Sequence, residues 1–108
     1  MGGAASAPPG HLDPGEEVNR TVLSGVIVAD PQRDRSREGD PVTVLLLSFA
    51  APDDRAHGGS ACCEVEVPDE LADPHRKGLR AGAPLLVSGQ MTGAGGIWAD
   101  YIATAGAK

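Results

Sequence analysis

A single glycine interrupts the chain's most β-branched run and limits the folds that this run can enter. Residues 18–30 (VNRTVLSGVIVAD) are rich in Val, Ile and Thr, as β-strands are, and Gly25 lies near the middle of the run. A glycine inside a strand marks a bulge or a sharp bend. A small barrel needs such a strand, because a long first strand must curve to join both sides of the barrel. The run therefore predicts a bent first strand.

Four further runs read as strands, and the segments between them have the composition of turns. Residues 31–41 and 51–60 are rich in Pro, Asp, Ser and Gly, so we predict loops there. The remaining strands are predicted at residues 42–50, 61–67, 83–91 and 97–104.

The third of these five strands alternates between apolar and charged side chains. Cys63, Val65 and Val67 fall on one face, while Glu64 and Glu66 share the other face with the second cysteine of the chain, Cys62. The pattern predicts a strand with one dry face and one wet face.

One short helix is predicted, at residues 69–80. Pro74 interrupts it, and Gly78 offers a C-terminal stop. Five strands with a helix between the third and the fourth is the element order of the OB-fold, a partly open Greek-key barrel. We therefore predict an all-β protein, a five-stranded OB-fold barrel with a short helix between strands 3 and 4, over residues 18–108.

The N-terminal segment has a different composition. Residues 1–17 (MGGAASAPPGHLDPGEE) have almost no large apolar side chains, so we predict a flexible tail. No apolar run approaches the ~20 residues of a membrane span, and no secretory signal is visible. The expectation is a cytoplasmic protein without membrane contact.

The sequence has no signature of catalysis or of a bound metal. The two cysteines, Cys62 and Cys63, are adjacent, and no CxxC or His pair accompanies them. The three histidines do not stand beside a Ser or Cys with an acidic partner in any known signature. We predict a non-enzymatic protein with no catalytic residues, no metal site and no cofactor.

Short motifs along the chain resemble one known family. Residues 19–31 (NRTVLSGVIVADP) join an Asn-Arg pair, a β-branched run, a Gly at the bend and an Asp-Pro at a loop. Further motifs are Leu71-Ala72, Val87-Ser88-Gly89 and the closing segment from Trp98 to Ile102. In this order and spacing they resemble the bacterial single-stranded DNA-binding protein family, including its short primosomal replication protein N-like members.

The resemblance implies a small accessory protein of DNA replication, restart or repair that binds single-stranded DNA without sequence preference. It also implies a homodimer through the first strand, whose apolar edge would otherwise be exposed. Replication or repair proteins are the candidate protein partners. An alternative remains open: a diverged OB-fold protein–protein interaction module that has lost nucleic-acid binding.

The composition favours weak, salt-sensitive binding. The formal net charge is −6 and the chain has one Phe, one Trp and one Tyr, whereas binding of single strands uses a basic groove and stacking aromatics. Trp98 is either a residue on which a base stacks or part of the core. The second alternative arises because strict alternation along the strand places Trp98 on the same face as Ile102. The candidate nucleic-acid-binding residues are Arg20, Arg33, Arg35, Arg37, Arg76, Lys77 and Trp98.

Overall fold

The computed structural model describes residues 18–51 and 59–104, so the tail predicted at residues 1–17 lies outside the described residues. The described chain contains six strands and one short helical segment. In chain order the elements are β1 (Thr21–Ile27), β2 (Gln32–Arg35), β3 (Pro41–Ala51), β4 (Gly59–Pro68), α1 (Asp69–Ala72), a 3-10 helix (Asp73–Gly78), β5 (Pro84–Met91) and β6 (Ile97–Thr104).

Five of the strands close into a barrel. The order around it is β1, β5, β6, β4 and β3, and β3 returns to β1 through the pairs Val26–Ser48 and Ile27–Leu47. All neighbours are antiparallel except β4 and β6, which run parallel at Val65–Ile97. This closed arrangement, with one helical segment between the third and fourth barrel strands, confirms the predicted OB-fold.

β2 is a sixth strand, and it lies where the sequence predicted only a loop. Its four residues are all exposed, and it pairs with the first half of β3, from Gln32–Val44 to Arg35–Pro41. The prediction was incomplete because residues 32–35 are polar or charged and show no apolar alternation. This strand forms through backbone hydrogen bonds to β3 rather than through burial of its own side chains.

The long β3–β4 hairpin supplies much of the core. Val65 and Val67 of β4 are fully buried and Cys63 packs against them, while Cys62 and Glu64 are exposed, which confirms the predicted dry and wet faces. The buried apolar cluster inside the barrel consists of Ile27, Leu45, Leu47, Val65, Val67, Ala72, Leu79, Leu85, Val87, Ile97, Ala99 and Ile102.

The helical segment packs onto the barrel through Ala72 and Leu79, which join the same cluster. α1 lasts only four residues, and the chain continues as a 3-10 helix with Pro74 in its first turn. A proline cannot continue an α-helix ladder, because it lacks the N–H donor. Among the described residues no helix is long and apolar enough to cross a membrane.

Gly25 stands where β1 passes from one neighbour to the other. Residues up to Val26 pair with β5, and β1 then reaches β3 at Ser48. A Cβ atom on Gly25 would overlap the carbonyl oxygen of Ser48. Glycine is therefore required here for the close approach that closes the barrel.

Candidate nucleic-acid interface

A cleft of about 520 Å³ lies on the outer side of the barrel between two turns. One turn follows β2 and the other joins β5 to β6; strands β4 and β6 form the floor. OB-folds bind oligonucleotides on the face of the second and third barrel strands, here β3 and β4, and at the loops that correspond to these two turns. The lining residues are Ser36, Arg37, Glu38, Glu66, Thr92, Gly93, Ala94 and Trp98.

Backbone hydrogen bonds hold the turn after β2 in shape. The Ser36 N–H donates to the Asp40 carbonyl at 2.8 Å, and the Gly39 N–H donates to the Ser36 carbonyl at 2.9 Å. Arg35 adds a side-chain bond, from its guanidinium to the Gly39 carbonyl, at 2.8 Å. Arg37 is therefore carried on a tightly closed turn at one wall of the cleft.

The opposite wall is closed by similar bonds. The Thr92 N–H donates to the Gly96 carbonyl at 2.8 Å, and the Gly95 N–H donates to the Thr92 carbonyl at 3.0 Å. The Thr92 hydroxyl also accepts the Gly96 N–H at 3.1 Å. Sequence reasoning did not identify Ser36 and Thr92 as site residues. Their positions in two short turns, which both border the same strand face, could have indicated them.

A β-bulge places Trp98 in the cleft rather than in the core. Ala99 pairs with Gly89, but Tyr101 pairs with Ser88, so Asp100 is an extra residue in β6. The extra residue reverses the alternation. Ile97, Ala99 and Ile102 are consequently buried, whereas Trp98 is half-buried and Tyr101 is 55% exposed.

The expectation that Trp98 shares a face with Ile102 is therefore wrong. That expectation assumed strict two-residue alternation through β6. Gly89 makes the irregularity possible, because a Cβ atom there would overlap the Trp98 carbonyl oxygen. Trp98 therefore lies on the outer side of β6 and does not belong to the buried cluster.

The three arginines around β2 do not lie together. Arg33 and Arg35 are two residues apart in β2, so their side chains lie on the same side of the strand. There they line a small hollow with Asp69 and Pro41. Arg33 is 70% exposed and lies 3.4 Å from the Asp69 carboxylate. Arg37 alone lines the cleft, because it follows the strand and sits on the turn. Within the described part of the chain, its guanidinium makes no ion pair.

Arg20 lies on a different face of the barrel. Its guanidinium spans the two carboxylate oxygens of Asp100 at 3.0 and 3.2 Å and donates to the Ser88 hydroxyl at 2.9 Å. The neighbouring Asn19 exchanges two hydrogen bonds with the backbone of Met91, at 2.9 and 3.0 Å. The Asn-Arg pair of the sequence motif thus ties the start of β1 to β5 and β6.

Arg76 holds the helical segment to the barrel. Its guanidinium donates to the buried hydroxyl of Thr43 at 2.8 Å and pairs with Asp73 at 2.8 Å and with Asp69 at 3.4 Å. Thr43 in turn donates to Asp69 at 2.9 Å. Lys77, the adjacent candidate, is exposed. Neither residue lines the cleft.

The strand face beside the cleft carries negative charge. Asp34, Glu64, Val44 and Leu46 line a second hollow on the outer side of β2, β3 and β4. Glu66 continues this row of β4 carboxylates into the cleft itself. Arg37 is accordingly the cleft's only cation among the described residues, and its surroundings are acidic.

The two cysteines differ in environment. Cys62 is exposed, whereas Cys63 faces inward and its thiol lies 3.9 Å from the Gly95 carbonyl. Burial raises the pKa of the Cys63 thiol, and the negative charge of Glu64 adds to the effect. A raised pKa leaves less thiolate at neutral pH, so Cys63 is the less reactive of the pair. Within residues 18–51 and 59–104, no three His, Cys, Asp or Glu side chains group to hold a metal ion.

Comparisons with known proteins support the architecture. No protein-family model and no curated protein matches the sequence. Among solved structures, the chain is similar to a Plasmodium falciparum SSB in complex with ssDNA, with 19% sequence identity and a TM-score of 0.65. The similarity covers 84% of this chain and 97% of the Plasmodium chain. At this identity the likeness shows a shared fold and nothing finer.

Proposed function

We propose that this protein binds single-stranded DNA in the cleft, as a small non-enzymatic accessory protein of DNA replication, restart or repair. The observation that carries the proposal is the composition of the cleft. It holds the chain's single indole, on Trp98, and the guanidinium of Arg37. An aromatic platform and a cation that can meet phosphate are the two components of single-strand binding.

The same cleft accounts for weak binding. One stacked base contributes roughly 1–3 kcal/mol, and the cleft offers one aromatic side chain. Glu66 lies in the cleft and Glu64 beside it, and both repel phosphate. The phosphate contact through Arg37 must then supply much of the affinity, which makes the binding salt-sensitive and largely independent of sequence.

The proposed assembly is a homodimer through β1. From Thr21 to Ser24 the strand pairs with β5 on one side, and β3 joins it only from Val26 onward. Within the described residues, the other edge of Thr21–Ser24 therefore has no partner strand. Val22 is 62% exposed beside this edge. A second copy of β1 would satisfy the backbone groups and cover the valine.

Within the SSB-like proteins, we assign the chain to the short primosomal replication protein N-like members. The segment Asn19-Arg20-Thr21-Val22-Leu23-Ser24-Gly25 supports this assignment. The structure gives its first two residues a fixed place against β5 and β6, and its last residue the close approach to β3.

The proposal is tested by fluorescence polarisation with labelled oligo-dT at low and at moderate salt. We expect saturable binding at low salt that weakens steeply as salt is added. The Trp98→Ala variant should bind more weakly, by the ~1–3 kcal/mol of one stacked base. Trp98→Phe, which keeps an aromatic ring, is the matched control and should retain most of the affinity.

A second candidate function is protein binding. The row Asp34, Glu64 and Glu66 on the outer face favours it, because a negative surface suits a basic protein partner better than it suits DNA. The same titration separates the two functions. Absence of oligo-dT binding even at low salt would replace the first proposal by a protein-interaction module.

A further inference from the structure

We propose that Glu66 makes one base position of the cleft selective for guanine over thymine. A guanine stacked on the Trp98 indole would donate its N1–H and N2–H groups to the two carboxylate oxygens of Glu66. The inference rests on the proposed binding of single-stranded DNA. It adds selectivity at one position to binding that elsewhere depends on phosphate.

The fold places the carboxylate beside the indole. Glu66 of β4 and Trp98 of β6 are paired neighbours on two parallel strands. Adjacent strands lie about 4.8 Å apart. Both side chains point outward into the same cleft. A base that lies flat on the indole therefore turns one edge toward the neighbouring strand, where Glu66 stands.

The carboxylate is available to a ligand. Among the described residues, no side chain or backbone group hydrogen-bonds the Glu66 carboxylate, and no cation lies within ion-pair distance of it. Glu64, the preceding carboxylate on the same face, lines the other hollow instead of the cleft. Glu66 is thus the one carboxylate of β4 that a stacked base would meet.

Hydrogen-bonding chemistry gives the base preference. An ionised carboxylate only accepts hydrogen bonds. In a single strand the Watson–Crick edge of a base is free to be read. Guanine presents two adjacent donors on that edge, cytosine and adenine one amino donor beside a ring acceptor, and thymine one N–H between two carbonyl oxygens. The expected order is guanine first, cytosine and adenine next, and thymine last.

Arg37 completes the arrangement from the other wall of the cleft. Its guanidinium can meet the phosphate of the same nucleotide while Glu66 faces the base edge. The cleft volume of about 520 Å³ falls within the range of small-molecule sites. The stacked base on Trp98, the carboxylate of Glu66 and the guanidinium of Arg37 would therefore occupy different parts of the cleft.

Trp98 is the only tryptophan of the chain, so its fluorescence reports directly on the cleft. The probes are oligo-dT strands of about eight nucleotides, within the site size of one OB-fold. Each carries one central replacement by guanine, hypoxanthine, cytosine or adenine, and unmodified oligo-dT is the reference. We expect the guanine strand to bind about 5- to 100-fold more tightly than oligo-dT. Hypoxanthine lacks the 2-amino group and should lose most of that gain.

The variants are Glu66→Gln and, as the matched control, Glu64→Gln. Both remove one negative charge from the outer face of β4, so both should strengthen binding of oligo-dT. Only Glu66→Gln should reduce the guanine preference to less than about 2-fold, because an amide offers one acceptor rather than two. Thermal melting checks that both variants remain folded.

The outcomes separate this inference from the proposed function. Equal binding of all the strands by the unmodified protein would overturn the selectivity and leave single-strand binding standing. A guanine preference that survives Glu66→Gln, or that hypoxanthine reproduces in full, would also overturn it. Absence of binding to every strand would remove both the proposed function and the inference.

Discussion

Arg76 and Thr43 meet where the helical segment packs against β3, and the guanidinium donates a 2.8 Å hydrogen bond to a hydroxyl that is fully buried. The same guanidinium reaches Asp69 and Asp73. Sequence reasoning grouped Arg76 with the candidate phosphate contacts. In the structure Arg76 has a stabilising role, because it hydrogen-bonds the buried Thr43 hydroxyl and pairs with the Asp69 carboxylate.

The first prediction concerns stability. Arg76→Met should lower the free energy of unfolding by about 1–3 kcal/mol, because it removes the guanidinium that donates to the buried Thr43 hydroxyl and pairs with the half-buried Asp69. Urea denaturation measures the change. Lys77→Met, at an exposed position of the same 3-10 helix, is the control and should change stability by less than about 0.5 kcal/mol. Equal stability of the two variants would contradict the structural task of Arg76.

The second prediction concerns salt. Arg37→Ala should weaken binding of oligo-dT. The slope of the logarithm of the binding constant against the logarithm of the salt concentration should become shallower by about 0.7, the contribution of one phosphate contact on a single strand. Arg33→Ala should have the smaller effect, because Arg33 lies beside Asp69 and outside the cleft. If Arg33, Arg35 and Arg37 each contacted a phosphate, replacing all three by Ala would instead make the salt slope shallower by about two units.

The third prediction concerns assembly. Light scattering at micromolar concentration should give about twice the 11.0 kDa of one chain. Val22→Lys should yield monomers, because a charge would then be buried against the second β1 strand. Leu46→Lys, at an exposed apolar position of β3, is the control and should leave the dimer intact. A monomeric unmodified protein would refute the assembly.

The fourth prediction concerns the cysteines. Iodoacetamide should alkylate Cys62 first, since it is exposed, and Cys63 only slowly. Because burial raises the pKa of Cys63, its rate should continue to rise at higher pH than expected for a free thiol. Mass spectrometry of the Cys62→Ser and Cys63→Ser variants measures each thiol separately. Faster modification of Cys63 at neutral pH would contradict its inward placement.

The fifth prediction concerns residues 1–17, which lie outside the described residues. Their composition has almost no core-forming side chains, so deletion of the segment should leave the melting temperature nearly unchanged. Thermal melting of the shortened chain measures this. A large decrease would show that the segment packs on the barrel.

Most of the fold could be predicted because it depends on local patterns. Alternation at Cys63, Val65 and Val67 predicted an inward face, and the structure has it. Pro74 predicted a helix that cannot continue, and the α-helix ends before it. The strand β2 was missed because its four residues are all exposed. It pairs with β3 through backbone groups, so no alternation of apolar and polar side chains indicates it.

The candidate site was harder to predict, because it depends on contacts between distant residues. Arg20 and Asp100 pair across 80 positions of sequence, and Arg76 reaches Thr43 across 33. No local pattern indicates that these cations already have partners. The same holds for Glu66 and Trp98, which become neighbours only when β4 and β6 align in parallel.

The sequence alone determined the five barrel strands and their order along the chain, because hydrophobic periodicity is a property of short segments. Tertiary structure alone decided which side chains face the cleft. One extra residue at Asp100 turns Trp98 outward, and one turn separates Arg37 from Arg33 and Arg35. Register and pairing between strands set these directions, and both are fixed only when the barrel closes.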